Sequence, residues 1–255
     1  MPSIFLVDAF ARGPFTGNPA GVVPLEAWPE DTWMQNVALE MNQAETAFFV
    51  PEGDGFRLRW FTPTVEVDLC GHATLATAHV LMTERDHEGE IVFQTRSGPL
   101  TCRREKDLIT MDFPSEAPWP EPLPTAIPGL SPVWTGRNRM DWFVEVGSVA
   151  EVVGFAPSFS AIAVLGLRGL IVTAAGDGDQ DFTSRCFFPQ SGVDEDPVTG
   201  SAHCALAPYW QERLGRDALV GFQASKRGGI VRCGVSGGRV LLQGKAFTTM
   251  QGNLR

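Results

Sequence analysis

The sequence predicts an α+β protein of two related halves, each a curved β-sheet with one helix threaded through it. One sign is a repeat: Asp68-Leu69-Cys70-Gly71-His72-Ala73-Thr74-Leu75-Ala76 and Pro197-Val198-Thr199-Gly200-Ser201-Ala202-His203-Cys204-Ala205 are both polar turns leading through a Gly into an Ala-rich apolar helix. With Gly71 laid on Gly200, Cys70 falls on Thr199, His72 on Ser201 and Ala73 on Ala202. Upstream, Arg59-Trp60-Phe61-Thr62-Pro63 parallels Arg185-Cys186-Phe187-Phe188-Pro189, and the second copy carries three extra residues before its Gly. Each half also reads as many strands with only one or two helices. Finally, the helix over 73–82 is apolar around most of its circumference, so it needs partners on every side rather than a place on a surface.

The elements follow in order. Ile4 to Phe10 reads as a first strand, and Phe15-Thr16-Gly17-Asn18-Pro19-Ala20-Gly21 is turn chemistry before the apolar run Val22 to Leu25. Asp31 to Met41 places Met34, Val37, Ala38 and Met41 at helical spacing with an acid in the first turn, and Asn42 can end that helix. Glu45 heads the apolar strand through Val50, and further strands are expected at 56–61, 90–95, 100–104 and 108–113. The stretch 114–124 holds five prolines in eleven residues, so it is expected to be an extended linker and a domain boundary. The domains are thus expected at 1–116 and 117–255, with the final strand able to pack back on the first. Beyond the linker, 142–146, 161–165 and 170–173 read as strands, and the Gly-punctuated series from Gly228 to Gly252 reads as hairpins. The helix from Ser201 to Leu214 contains Pro208, which is expected to kink or restart it.

Composition narrows the function. The chain has 255 residues, 44% of them hydrophobic, and a net charge of −10, which opposes a nucleic-acid backbone as partner. Its five cysteines (Cys70, Cys102, Cys186, Cys204, Cys233) form no C-x-x-C pair, which suggests neither a disulfide framework nor a zinc knuckle and makes a reducing cytoplasm the default. The N-terminus lacks the basic start of a signal peptide, and the most apolar run, 161–175, is short and broken by Arg168, so neither secretion nor a membrane partner is expected. No dinucleotide or P-loop spacing of glycines is present.

Several stretches together resemble the PhzF family of phenazine-biosynthesis-like isomerases. They are Val7-Asp8-Ala9-Phe10 with the turn 15–21, Asn42-Gln43-Ala44-Glu45-Thr46-Ala47-Phe48, the segment from Arg59 through Glu66 to Thr74, the Arg185 to Pro189 stretch, and Gly192-Val193-Asp194-Glu195-Asp196-Pro197-Val198-Thr199-Gly200-Ser201-Ala202. The resemblance implies a diaminopimelate epimerase-like fold, with two pseudo-symmetric domains, each a curved mixed sheet around a central helix. It also implies an active site in the cleft where the two helix N-termini converge, no cofactor, and a homodimer. It makes Glu45 the general acid/base that moves a proton between two carbons of a small cyclic or unsaturated carboxylic acid, with His72, Asp196 and Ser201 lining the same pocket.

Each of these residues has a plainer reading. Glu45 could be a solvated strand end, although a carboxylate beside apolar bulk is also how a protein raises a pKa toward neutrality. Asp196, held out of the helix by Pro197, reads equally as a turn or capping residue, and Ser201 as an ordinary first-turn residue. His72 follows a Gly at a helix start, where it can donate to an anion or orient the base, whereas His79, His87 and His203 read as structural. Gly71 and Gly200 would let backbone N–H groups approach a substrate carboxylate, with Cys70, Thr199 and Asn18 as further substrate contacts. A thiol at a helix start suits the two-cysteine racemases of this fold. However, the position matching Cys70 is Thr199, and Cys204 lies about 140° away around the helix, so that mechanism is rejected. An amino-acid epimerase and a binding protein without turnover remain the alternatives, and no metal is expected.

Overall fold

The computed structural model describes residues 1–255, which divide into two compact units, Met1–Asp112 with Gln243–Arg255, and Phe113–Leu242. In the first, β1 (Ser3–Ala9) pairs antiparallel with β2 (Asn18–Pro24), and α1 (Asp31–Met41) crosses over to β3 (Glu45–Glu52), which lies parallel to β2. Asn42 ends α1 in the left-handed conformation at φ 49°, which Asn tolerates better than most residues. The face of α1 carrying Met34, Val37 and Ala38 packs on Ile4, Val23, Phe48 and Phe61.

From β3 the chain turns back into β4 (Gly55–Phe61) and β5 (Glu66–Val67), both antiparallel to their predecessors. It then passes through α2 (Gly71–His79) and a π-helical turn, Val80–Glu84, to β6 (Ile91–Thr95), which runs parallel to β4. β7 (Gly98–Glu105) and β8 (Leu108–Pro114) extend the meander. The C-terminal strand Ala246–Asn253 pairs with β1. Every residue of α2 from His72 to Ala78 is buried. A helix lying on a sheet hides one stripe, so this one is enclosed by the sheet that curves around it.

The second unit repeats the plan. After the short β9 (Trp119–Pro120), β10 (Trp134–Arg137) pairs antiparallel with β11 (Asp141–Glu145). Two short helices, α3 (Val149–Gly154) and α4 (Phe159–Ala163), lead to β12 (Gly169–Ala175), parallel to β11. Then come β13 (Phe182–Phe188) and β14 (Val193–Asp196), each antiparallel to its predecessor. Helix α5 (Gly200–Leu214) crosses to β15 (Ala218–Gln223), parallel to β13, and β16 (Gly229–Ser236) and β17 (Arg239–Gly244) follow. Gly237 and Gly238, at φ 55° and 78°, make the turn into β17, which a side chain at either position would strain. Parallel and antiparallel pairs thus recur in the same order in both units, and each unit is a mixed sheet around a central helix.

One expectation is corrected and another is narrowed. Residues 161–165 are not a strand: α4 occupies 159–163, started by Ser158, whose Oγ accepts from the Ala161 N–H, and its buried Ile162 packs into the core of the unit. Helix α5 does not restart at Pro208. Proline removes the donor that the Cys204 carbonyl would have used four residues earlier, and the Glu116 N–H donates to that carbonyl instead, at 3.0 Å.

Candidate active site

In the first unit, Glu45 opens β3 and its backbone lies opposite Ala20 of β2. Cys70, at the N-cap of α2, is extended and offers no side-chain cap, so the first-turn N–H groups lack an acceptor within the helix. His72, two residues on, is buried between two polar neighbours. Its Nδ1 is 3.5 Å from Cys70 Sγ, and its Nε2 is 3.4 Å from Glu45 Oε2, within ion-pair reach though without a hydrogen bond. Burial pushes the His72 pKa down to about 3, so at neutral pH the ring beside Glu45 is uncharged. Glu45, Cys70 and His72 bring an oxygen, a sulfur and a nitrogen within 4.8 Å of one another. The thiol lies nearest one ring nitrogen and the carboxylate nearest the other. Gly71 lies in the same turn, and Asn18 is fully buried at the start of β2.

In the second unit, Asp196, Thr199, Gly200 and Ser201 share one turn at the head of α5. Thr199 Oγ1 donates to Asp196 Oδ2 at 2.5 Å, so the residue placed to cap the helix spends its hydroxyl on Asp196. Gln223 on β15 clamps this turn: Nε2 donates to the Asp196 carbonyl and to Thr199 Oγ1, and Oε1 accepts from the Thr199 N–H. Ser201 Oγ accepts from Arg168 Nη2 at 3.0 Å, and Arg168 is itself bound through Nε and Nη2 to the fully buried Asp141. Sequence reasoning missed Gln223, Arg168 and Asp141. The only signal was that Arg168 interrupts the most apolar run in the chain.

The remaining candidates have structural partners. His203 gives Nδ1 to the Thr199 carbonyl at 2.8 Å, where burial lowers its pKa to about 4, and His79 Nε2 contacts Thr248 Oγ1. His87 packs edge-on to Phe56. None of the five cysteines is in a disulfide and all are buried, and burial pushes the thiols of Cys102, Cys186, Cys204 and Cys233 above the ordinary range. No helix is long and apolar enough to cross a membrane.

The two units also share an ion pair that supports the repeat. Arg59 holds Glu66 by two parallel bonds of 2.7 and 2.8 Å, and Arg185 holds Glu195 by two of 2.7 and 2.9 Å. The second copy makes room for its three extra residues just after Pro189, where a 3₁₀ turn, Pro189–Ser191, precedes β14.

Comparison with known proteins agrees with this architecture. A protein of Halalkalibacterium halodurans called an uncharacterized isomerase is 48% identical, over 98% of this chain and 97% of its own. The crystal structure of a PhzF-family protein from Enterococcus faecalis superposes with a TM-score of 0.94 at 42% identity, covering 98% of each chain. A probable proline racemase from Agrobacterium radiobacter shares the fold alone, with a TM-score of 0.66 at 11% identity over all of this chain and 93% of its own. Residues 7–252 match the family described as phenazine biosynthesis-like protein, so the chain belongs to the PhzC/PhzF family.

Proposed function

We propose that this protein is a cofactor-independent isomerase in which Glu45 takes a proton from one carbon of a small cyclic or unsaturated carboxylic acid and returns it to another. The observation that carries this reading is the Glu45 carboxylate 3.4 Å from the buried ring of His72, whose pKa near 3 keeps it neutral. A neutral imidazole can orient the carboxylate or a substrate oxygen without taking the proton that Glu45 must move. The uncapped first turn of α2 offers N–H groups for an anion. Asp196 and Ser201 are assigned by the family resemblance to the same substrate, Asp196 receiving an amine or hydroxyl and Ser201 donating to an oxygen. The buried thiols fit a reducing cytoplasm, and the resemblance adds a homodimer.

The test is a panel of small carboxylic acids, including anthranilate analogues, incubated in deuterium oxide and followed by NMR. The wild-type protein is expected to place deuterium at one carbon of its substrate. Glu45→Gln is expected to slow that exchange by about two orders of magnitude or more. Exchange within a few-fold of wild type in Glu45→Gln would remove Glu45 from the mechanism.

A further inference from the structure

Arg168 belongs to none of the motifs that mark the site, yet it is built into the Asp196–Ser201 turn. Its guanidinium has two edges. Nε and Nη2 bind Asp141 at 2.8 and 2.5 Å, and Asp141 is fully buried at the start of β11. Nη2 also donates to Ser201 Oγ. Nη1 makes no bond to the protein, and the side chain remains 29% exposed. The group lies over the Phe188 ring at 4.5 Å. That ring comes close because residue 169 is Gly, where a Cβ would meet Phe188 Cδ1 at 2.4 Å and the Phe187 carbonyl oxygen at 2.1 Å.

This arrangement dictates what the turn can bind. Arginine has no acceptor, so the Ser201 oxygen must be the acceptor of their shared bond. That bond occupies one lone pair and leaves the hydroxyl proton without an acceptor in the protein, since Ser201 makes no other side-chain hydrogen bond. A serine hydroxyl and a guanidinium N–H that both lack acceptors, side by side at an uncapped helix start, need an oxygen ligand with two acceptor sites. We infer that Arg168 is a carboxylate-recognising residue: Asp141 fixes the guanidinium, its Nη1 edge contacts one oxygen of a small acid, and its Nη2 bond turns the Ser201 hydroxyl toward the same carboxylate. The assignment rests on the proposed function only in treating this turn as substrate-facing.

Benzoate and its uncharged analogue benzamide are the probes, with binding measured by calorimetry. Wild type is expected to prefer benzoate. Arg168→Gln should lose benzoate affinity by about tenfold, the scale of one charge-assisted hydrogen bond, while benzamide, whose neutral oxygen gains less from a guanidinium, loses less. Arg168→Lys, which keeps the charge but not the fork, should recover only part of the loss. If Arg168→Gln fails to fold because Asp141 is left unpaired, the Asp141→Asn, Arg168→Gln pair replaces the buried ion pair with a neutral one and should show the same loss. Benzoate binding that is absent in wild type, or equal in wild type and the arginine variants, overturns the inference. Benzoate affinity is read on the arginine variants and deuterium exchange on Glu45→Gln, so failure of this assignment and failure of the proposed mechanism give different results.

Discussion

A buried histidine states its protonation through its neighbours. His203 Nδ1 faces the Thr199 carbonyl, which only accepts, so the proton sits on Nδ1. His72 Nδ1 faces a thiol, which can donate or accept. Burial holds both rings neutral, with pKa values of about 3 and about 4. Long-range proton–nitrogen NMR spectra are expected to show both rings uncharged down to about pH 5, with His203 as the Nδ1–H form. A charged His72 at that pH would make its contact with Glu45 a salt bridge and count against a neutral ring in the proposed mechanism. At this scale the sequence was informative where chemistry is local: His72 stood out because it follows Gly71 at a helix start. Arg168 was not legible, because its meaning depends on Asp141, 27 positions away, and Ser201, 33 positions away, and no spacing rule joins such distances.

Among the elements, the repeated ion pair was legible as the Arg59 and Arg185 segments, and the three-residue offset between copies arises after Pro189, where a 3₁₀ turn begins. The short helices were not. α4 has five residues, too few to display a helical period, and its Ala-Ile-Ala-Val-Leu run satisfies a strand pattern equally well. The two arginines differ in burden. Arg59 carries Glu66 and the exposed Asp31, whereas Arg185 carries Glu195 and also donates to the carbonyls of Val152, Val153 and Phe155 at the end of α3. Lysine can make neither the bidentate contact nor the fan of carbonyl bonds. Arg59→Lys is expected to cost about 1 kcal/mol and Arg185→Lys about 2–3 kcal/mol in denaturant unfolding. Equal losses would mean that the carbonyl contacts at the end of α3 contribute nothing.

For the molecule as a whole, both enclosed helices carry a buried neutral histidine, His72 in α2 and His203 in α5, and this ties folding to pH. Their native pKa values lie below the ordinary 6.5, so between the two values the unfolded chain binds more protons than the native one. Stability from these rings is therefore fully present above about pH 6.5 and falls as pH drops toward about 4, by about 1.4 kcal/mol for each ring one unit below 6.5. The net charge of −10 acts the other way, because protonating carboxylates relieves self-repulsion as pH falls. The histidines can be separated from that background by substitution. Denaturant unfolding followed from about pH 7.5 to about pH 5.5 should give a stability that falls for wild type and falls less steeply for His203→Gln, even though the variant starts lower because glutamine fills the site imperfectly. Identical slopes for the two proteins would show that His203 titrates alike in the folded and unfolded chains, and the enclosed helix of the second unit would then be open enough to water to hold a charge.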